Sequence, residues 1–589
     1  AARASKRALI VETGGHGVPP LQVSKPGVTV ERQAMSSLDR IYMIEDNSRR
    51  IDPADPNSNY QSYYPDPIPF YENSLITPLI DGNAYFADLF DELTQLTTNR
   101  TSGASSGSAQ RIYLACWALN PLFTLDNNQK LTELLRDHAA DGVDVRVLLW
   151  VNEGALGWDN VPFVETPLAK TQWTNITTAQ ELRSYPNLEN KVILNVLDHL
   201  YGSSHMKMAL VADTTPAVNR VVAYTGGIDF TDIRKGQPRH SGRKWHDIQA
   251  RIEGDATTGV FEFFKALWDE LVERRQREEN RLVGGPHMGP HPVGFEDTTH
   301  VRVGVFDVVY AIPEFAQKFP VGDVIVPHIP AETKNTVQSL RTVPDVSRHL
   351  WSAPFDVSFP AVGDVKFTNL SSDVYEIYLG FKTAMAAAQS YIYIENSVMY
   401  SRDLFVQLRN AIIANSELKV ILLTAASVTN FSLPMPKHNY YLWNYLYKDL
   451  DANQRSQVVL YKSLQYYTHA KVMIVDDKFA IIGSANIANK SFFSDLEHSI
   501  SFIDNDGYQT VKEFRQALWN EHFRTTPVQA QEIAEIDAAL HVWNQQWGVL
   551  GASFQIPSHL ELTAITDPGP DFSLSYYECG EEVGALPSP

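Results

Sequence analysis

The sequence predicts an α/β protein whose two halves repeat one unit. In the first half, an apolar run over residues 112–117, a helical pattern over residues 130–140 and an apolar run over residues 145–150 follow one another. This is the strand–helix–strand order of α/β proteins. The order returns in the second half, where apolar runs at residues 391–394 and 419–422 follow a helical pattern.

Short matches between the halves support a duplication. The segment FKALWDE at residues 264–270 parallels RQALWNE at residues 515–521, and each is predicted on a helix. Between the two halves, residues 284–292 are rich in Gly, Pro and His, which is typical of a linker.

A polar motif marks the centre of the second half. His469 and Lys471 lie two residues apart next to the apolar run 472–475, so that both side chains project from one face of a predicted strand. A neutral imidazole can attack phosphorus or transfer a proton near pH 7, and an ammonium group can neutralise a phosphate oxygen. The pair therefore predicts phosphoryl chemistry.

A predicted turn follows this strand. Gly483 ends an apolar run over residues 479–482 and permits a tight turn. The Ser484 hydroxyl and the Asn486 amide then add hydrogen-bond donors around the same anion.

These residues resemble the H-x-K-x4-D-x6-G-S-x-N signature of the phospholipase D superfamily, with Asp476, Gly483 and Asn486 in register. A second copy begins at His205 and Lys207. It departs from the pattern because an aspartate lies one residue late, the connection to the glycines is longer, and an aspartate replaces the final asparagine. The late aspartate is Asp213, the glycines are Gly226 and Gly227, and the aspartate in the asparagine position is Asp229.

The resemblance implies a fold and a reaction. The fold is a duplicated phospholipase D-like α/β fold: two domains, each a mixed sheet flanked by helices, with the active site at their interface. One histidine, expected to be His205, attacks phosphorus to form a phosphohistidine, and the other, His469, protonates the leaving alcohol. The phosphate is expected to be held by Lys207, Lys471, Asn486 and Ser484. No metal or other cofactor is required by this chemistry.

Each histidine also needs an acceptor for its second ring nitrogen. An acid lies downstream of each motif, Asp247 after the first and Glu497 after the second, and both are candidates for this role, with ordinary surface acids as the alternative. Asp247 is expected to orient His205. Asp229 would repel the phosphate, so it must be turned away, protonated, or hydrogen-bonded to Lys207 or His205.

Further substrate contacts are predicted around these groups. The run YIYIEN at residues 391–396 is similar to the Y-I-E-N-Q stretch of phospholipases D, with Ser397 in place of the glutamine, and it contributes Glu395 and Asn396. Gly226 and Gly227 are expected to line the site with Asp229.

The domain boundaries follow from these patterns. They are an irregular lead-in at 1–75, a first repeat at 76–283, a linker and connecting segment at 284–335, a second repeat at 336–525 and a C-terminal extension at 526–589, with a helix expected over 528–547.

Composition limits the partners. The 589-residue chain carries a formal charge of −20, which disfavours a nucleic-acid partner. No run approaches the roughly 18 apolar residues of a membrane span, so contact with a phospholipid surface or micelle is expected to be peripheral. The aromatic run at residues 431–447 suits either a lipid interface or the core. Cys116 is expected to be a buried free thiol, although a pair with Cys579 is open, and the chain is expected to be a monomer.

The function expected from the resemblance is a phospholipase D that hydrolyses glycerophospholipids to phosphatidate and a head-group alcohol, with transfer to other alcohols as a side reaction. A phosphatidyltransferase such as a cardiolipin or phosphatidylserine synthase, a nuclease of the same fold and a non-enzymatic binding module are the alternatives. The head group and the compartment stay open, with a secreted or peripheral membrane protein as the expectation.

Overall fold

One mixed β-sheet runs through both halves of the chain in the computed structural model. The structure describes residues 39–44, 68–125, 128–151, 167–197, 202–237, 244–276, 282–283, 291–292, 300–301, 309–344, 374–425, 438–547 and 554–568.

The first repeat contributes seven strands in the order β4-β3-β2-β5-β6-β7-β1. The strand bounds are β1 Tyr71–Ile80, β2 Gln110–Cys116, β3 Asp144–Trp150, β4 Val192–Asn195, β5 Met208–Asp213, β6 Arg220–Gly226 and β7 Ile248–Gly254. Strands β2, β3 and β4 are parallel, and the other pairings are antiparallel.

The second repeat contributes the same arrangement, in the order β11-β10-β9-β12-β13-β14-β8. The bounds are β8 Asn335–Val343, β9 Tyr391–Asn396, β10 Lys419–Ala425, β11 Val458–Ser463, β12 Lys471–Val475, β13 Phe479–Gly483 and β14 Glu497–Asp504. Again the outer three strands are parallel and the rest antiparallel. The predicted duplication of an α/β unit is confirmed.

The two sheets join into one at the centre. Strands β1 and β8 pair antiparallel, with Ser74 opposite Asn335. The Asn335 side chain accepts a hydrogen bond from the Ile76 amide (2.9 Å), which links the repeats a second time. The two sheets are therefore continuous.

Helices cover both faces of the sheet, which is why the central strands are apolar on both sides. The longer helices are Gly82–Thr101, Leu131–Ala140, Pro167–Arg183 and Thr257–Gln276 in the first repeat and Glu376–Ala387, Arg402–Ala414 and Thr510–Phe523 in the second. The matched tryptophans of the two repeats, Trp268 and Trp519, are both fully buried. Their helices occupy equivalent places after β7 and β14.

Shorter elements complete the described chain. The short helices are Asp39–Tyr42, Gly107–Ala109, Asp232–Arg234, His438–Tyr441 continuing as a π-helix at Leu442–Tyr447, Ala452–Ser456 and Asn489–Phe493. Two-residue strands pair Leu282–Val283 with Val309–Tyr310, His291–Pro292 with His300–Val301, Met399–Tyr400 with Ile487–Ala488, and Val374–Tyr375 with β8.

The predicted helix over 528–547 is wrong in its length. Two short helices, Pro527–Glu532 and Ile536–Trp543, replace it. The break has a physical reason, because Arg515 donates to the carbonyl oxygens of Ile533 and Ala534 (3.2 and 3.0 Å) and so takes acceptors that a continuous helix would use.

Segments outside the two predicted repeats also contribute to the core. Ile44 exchanges hydrogen bonds with the Gln338 side chain, and Phe319 packs against Phe264. Leu560–Leu562 pairs with β11 at the edge of the sheet. The lead-in, the connecting segment and the C-terminal extension are therefore docked on the repeats where they are described.

Cys116 is buried and free, as expected, whereas Cys579 lies outside the described residues. Residues 431–437 of the aromatic run also lie outside them. In the described part of that run, Leu442 and Leu446 are buried and Trp443 is half-buried. Within the described ranges, the helices include none with the length and apolar character needed to cross a bilayer.

Candidate active site

The two histidine segments lie next to the acid segments of the opposite repeats. The His469 amide donates to the His246 carbonyl (2.7 Å), and the His246 amide donates to the Tyr467 carbonyl (3.0 Å). In the same way, the His205 amide donates to the Leu496 carbonyl (2.9 Å). Each contact is a short parallel bridge between repeats, so one centre receives both histidines.

These bridges pair each histidine with the acid of the other repeat. His469 Nδ1 lies 2.6 Å from Asp247 Oδ2, and His205 Nδ1 lies 3.0 Å from Glu497 Oε1. The choice of Asp247 and Glu497 fits the structure, but the expectation that Asp247 orients His205 is wrong. The reason is the crossed bridging, which brings each acid to the histidine furthest from it in sequence.

The Nδ1 contacts leave Nε2 of each ring for the reaction. The side chains of His205 and His469 are 13% and 9% exposed, so both rings reach a narrow opening from a buried position. Trp117 lies edge-on to the His205 ring at 5.7 Å, and Trp245 contacts the His469 ring at 5.0 Å. The aromatic walls restrict the rings and exclude water around them.

The two lysines have equivalent contacts. Lys207 Nζ donates to the His205 carbonyl, and Lys471 Nζ donates to the His469 carbonyl, each at 2.5 Å. Both lysines are 2% exposed. Each ammonium group is thus held beside its own histidine, where it can meet a bound phosphate.

Burial and positive charge keep the histidines neutral. Burial lowers the pKa of His205 well below its usual range, and Lys207 and Lys471 lower it further. Burial also lowers the pKa of His469, together with Arg234 and the two lysines. Neutral imidazole is the form that attacks phosphorus, and an anionic phosphodiester would raise the pKa of the histidine that must donate a proton.

The same burial shifts the pKa values of the groups around the histidines. It lowers the pKa of Lys471 to about 7, with Asp247 opposing the shift and Lys207 adding to it. It raises the pKa of Asp247 to about 6, against the charges of Lys471 and Arg234. It also raises the pKa of Glu497, against the charge of Lys207. A bound phosphate anion would therefore favour the charged form of Lys471.

Asp229 forms an ion pair with Lys207 in place of the expected hydrogen bond. Its Oδ2 lies 3.4 Å from Lys207 Nζ, and its Oδ1 accepts a hydrogen bond from the Ala118 amide (2.9 Å). In the second repeat, Asn486 takes the equivalent place and its Oδ1 accepts from the Ser397 hydroxyl (3.2 Å). The substituted Ser397 therefore orients the Asn486 amide.

Ser484 and the glycines lie against the two acids, and their expected contact with the phosphate remains a prediction. The Ser484 hydroxyl bonds the Glu497 carboxylate and accepts from the His498 amide (3.1 Å). At the equivalent position in the first repeat, a Cβ on Gly227 would lie 2.0 Å from Asp247 Oδ1. A Cβ on Gly226 would lie 2.4 Å from the Ile248 carbonyl oxygen. Gly226 and Gly227 thus make space for β7 and its acid.

Glu395 and Asn396 also differ from expectation. Glu395 is fully buried and its carboxylate lies 3.1 Å from His246 Nε2 and 3.0 Å from His522 Nε2. The Asn396 side chain accepts from the Val398 amide (3.1 Å) and is fully buried. These contacts place both residues in the core behind the site.

The aspartates of the two signatures are structural. Asp476 accepts hydrogen bonds from the amides of Gln389, Ser390 and Tyr391 (2.7, 2.8 and 2.8 Å). Asp213 accepts from Gln110 and Asn99 (2.9 and 3.1 Å). Each ends its strand by satisfying polar groups of a neighbouring segment, so displacement of Asp213 by one residue leaves the reaction centre unchanged.

Arg234 is a residue of the site that sequence reasoning missed. Its guanidinium group lies 3.5 Å from Asp247 Oδ2, 3.7 Å from Asp229 Oδ2 and 3.9 Å from the centre of the Trp245 ring. It follows Asp229 by five residues and ends the short helix Asp232–Arg234, where an arginine has no distinctive pattern. The sequence could have indicated Trp245 as a site residue, because it lies two residues before the candidate acid Asp247.

Two groups of side chains within the described residues have the donor types of a metal site. One comprises His246, Glu395 and His522, and the other comprises Asp81, His246 and Glu521. Both share His246 and lie behind the reaction centre. The expectation that the chemistry requires no metal remains a prediction.

Comparison with protein families assigns both repeats. Residues 105–244 match the family model described as "Phospholipase D", and residues 381–521 match the one described as "Cardiolipin synthase, PLD-like domain". The chain belongs to the phospholipase D superfamily. Each match lies within one repeat and contains one of the two histidine–lysine pairs. Membership indicates an enzyme that acts on phosphodiesters.

Individual relatives within the phospholipase D superfamily are distant. The chain is 21% identical to phospholipase D alpha 1 of Carica papaya over 592 residues, covering 82% of this chain and 70% of the relative. It is 23% identical to phospholipase D alpha 1 of Oryza sativa subsp. japonica over 282 residues, covering 36% of this chain and only 32% of the rice protein.

Among solved structures, the chain is similar to the phosphatidylserine synthase of Haemophilus influenzae Rd KW20. The TM-score is 0.46 and the identity is 12%, with 82% of this chain and 97% of the synthase covered.

Proposed function

We propose that this protein is a phospholipase D that hydrolyses glycerophospholipids to phosphatidate and a head-group alcohol. The observation that carries the proposal is the pair of crossed contacts, His469 with Asp247 and His205 with Glu497. They supply two imidazoles with free Nε2 atoms at one centre, each beside a lysine. One chain contains both, so the reaction needs no second copy.

In the first displacement, His205 Nε2 attacks phosphorus and the bond between phosphorus and the head-group oxygen breaks. His469 is an imidazolium in this step, because the bound anionic phosphodiester raises its pKa. It donates its Nε2 proton to that oxygen and becomes neutral. Lys207 and Lys471 balance the charge on the equatorial oxygens, and the Asn486 amide adds a donor. The product of this step is phosphatidyl-His205 and a free alcohol.

In the second displacement, His469 accepts a proton from water, and the water oxygen attacks phosphorus. The bond between phosphorus and nitrogen breaks, which releases phosphatidate and restores neutral His205. An alcohol in place of water yields a new phosphodiester, so transfer to alcohols is a side reaction of the same site.

The preference for a lipid over a nucleic acid rests on charge. The chain has 49 basic and 69 acidic residues, and a phosphate polymer is repelled by such a surface at low salt. A single phosphodiester at a membrane surface needs only the local cations of the site. We therefore expect peripheral binding to phospholipid vesicles or micelles.

A phosphatidyltransferase is the second candidate, favoured by the match of residues 381–521 to the cardiolipin synthase model. It would use the same covalent step but accept an alcohol in preference to water. A nuclease of the same fold is the alternative with a different substrate class.

One experiment separates these functions. Purified protein is incubated with vesicles of defined head group, with CDP-diacylglycerol plus serine or glycerol, and with single-stranded DNA, and free head group, new lipid and nucleotides are measured. Release of choline, ethanolamine or serine supports a phospholipase D. New lipid without net hydrolysis would assign a transferase, and cleavage of DNA alone would assign a nuclease.

A further inference from the structure

The two reacting histidines have different surroundings, although the repeats that supply them are equivalent. The residue before Glu497 is Leu496, a fully buried aliphatic side chain. The residue at the equivalent place before Asp247 is His246, also fully buried. The pseudo-symmetry is therefore broken beside His469, the histidine proposed to act as the acid.

His246 contacts three carboxylates from both repeats. Its Nδ1 atom lies 3.1 Å from Asp81 Oδ1 and 3.1 Å from Glu521 Oε1. Its Nε2 atom lies 3.1 Å from Glu395 Oε1. Asp81 comes from the first repeat, whereas Glu395 and Glu521 come from the second.

The neighbouring hydrogen bonds indicate where the protons are. The Tyr466 hydroxyl lies 2.8 Å from His522 Nδ1, and His522 Nε2 lies 3.0 Å from Glu395 Oε2. The Tyr393 hydroxyl donates to the same carboxylate oxygen (3.0 Å). Glu395 therefore receives donors on Oε2 and faces His246 with Oε1, which is the arrangement of a carboxylate opposite an imidazolium.

Electrostatics supports the charged form of His246. Burial lowers its pKa, but Glu395, Asp81 and Glu521 more than reverse this effect and raise the pKa well above its usual range. Three buried carboxylates without a cation among them would be far more costly than the same carboxylates around an imidazolium.

The backbone connects this charged group to the acid histidine. The His246 carbonyl accepts from the His469 amide (2.7 Å), and the next residue, Asp247, contacts the His469 ring. A displacement of the His246 ring therefore moves both contacts that fix His469.

We propose that His246 is a buried imidazolium and a positioning residue for His469. This inference rests on the proposed function, since it assumes that His469 donates the proton. The contacts of His246 with carboxylates of both repeats fix the backbone that accepts the His469 amide. They also keep the Asp247 carboxylate in contact with His469 Nδ1. The step that depends on it is proton donation to the leaving oxygen, not attack by His205.

The leaving group distinguishes these steps. A choline or ethanolamine alkoxide must be protonated as it leaves, whereas p-nitrophenolate leaves without a proton. The first release of p-nitrophenolate from a p-nitrophenyl phosphodiester therefore reports attack by His205, and choline release from soluble short-chain phosphatidylcholine reports attack together with proton donation.

The test compares both substrates in two variants. Glu395→Gln keeps the volume of the group opposite His246 Nε2 and removes its charge, and His246→Leu introduces the residue found at the equivalent place. We expect choline release to fall by about 100-fold, the usual contribution of a general acid, and the burst of p-nitrophenolate to change by less than about threefold. His138→Gln replaces a buried histidine in the helix Leu131–Ala140 and serves as the control for stability.

Equal losses on both substrates in a folded Glu395→Gln protein would overturn the positioning role. A second measurement, of the protonation of His246 itself, requires no catalytic activity. In protein labelled with 15N-histidine, His246 is expected to carry protons on both ring nitrogens at pH 8. A deprotonated ring nitrogen of His246 would contradict the imidazolium. Stoichiometric zinc in the purified protein that is lost in the His522→Ala variant would also contradict it.

Failure of the proposed function gives a different result. If the wild-type protein releases p-nitrophenolate in a burst but no choline, the substrate proposal fails. The inference is then tested with whichever natural phosphodiester the protein cleaves, and it fails only if Glu395→Gln lowers cleavage of that substrate and the burst equally.

Discussion

Asp247 Oδ2 lies 2.6 Å from His469 Nδ1, although the two residues are 222 positions apart in sequence and belong to different repeats. The mirror contact joins Glu497 to His205, 292 positions apart. The crossed contacts make the two repeats interdependent, because neither repeat contains a complete histidine–acid pair.

Replacement of either histidine should stop turnover. We expect His205→Ala and His469→Ala each to lower head-group release by at least about 100-fold, because nucleophile and general acid are separate roles. Only His469→Ala should retain the first burst of p-nitrophenolate. His541→Ala, in a C-terminal helix, is the control. Near-normal turnover in either active-site variant would contradict the paired site, and a phosphoryl adduct mapped to His469 would reverse the two roles.

Double-mutant cycles can show which histidine each of the two acids, Asp247 and Glu497, supports. Asp247→Asn and Glu497→Gln should each lower turnover by about 10- to 100-fold, the range for a group that orients a catalytic histidine. Asp247→Asn should be strongly non-additive with His469→Ala and more nearly additive with His205→Ala. The opposite pattern would show that each acid serves the histidine of its own repeat. Asp269→Asn, outside the centre, serves as the control.

The pH dependence should follow Lys471 and Asp247. Burial lowers the pKa of Lys471 to about 7, so this cation is lost from the free enzyme as the pH rises above 7, and kcat/KM should fall. Burial raises the pKa of Asp247 to about 6, so its protonation below pH 6 should also lower kcat/KM. Because Lys471 and Asp247 interact, the apparent pKa of each limb of the kcat/KM profile belongs to the cluster as a whole.

Lys471→Arg tests the basic limb. A guanidinium group stays charged throughout this range, so the fall above pH 7 should move to higher pH even if the maximum rate is lower. A profile of kcat/KM on a soluble short-chain substrate measures this shift. An unchanged basic limb would remove Lys471 as its origin.

The chemical step should be independent of divalent metal ions. Two imidazoles and two ammonium groups supply the charge stabilisation that such an ion would otherwise provide. EDTA should leave activity on soluble short-chain phospholipid within about twofold. Loss of that activity, restored by calcium, would contradict the prediction. A calcium effect confined to vesicles would instead indicate an effect on surface binding.

Much of the fold could be predicted from local sequence. Apolar runs with helices between them predicted β2, β3, β9 and β10, because buried parallel strands need no alternation of polar residues. The predicted helix over 528–547 failed because Arg515, on the preceding long helix, takes the carbonyl groups of Ile533 and Ala534. Such competition depends on tertiary contacts and leaves no local pattern.

The sequence by itself determined the reaction centre's chemistry. The prediction that each histidine and its lysine lie on a strand is only partly right, because β5 begins at Met208 and β12 at Lys471. The two-residue spacing just before these strands is still enough to put each imidazole beside an ammonium group. The acids Asp247 and Glu497 were also visible as candidates.

The tertiary structure decided which groups act together. The bridges between repeats assign Asp247 to His469, and close packing turns the Ser484 hydroxyl towards Glu497. It also buries Glu395 against His246. These outcomes depend on which chain segments meet when the two repeats pack together, and a contact between residues hundreds of positions apart has no signal in the spacing of either one.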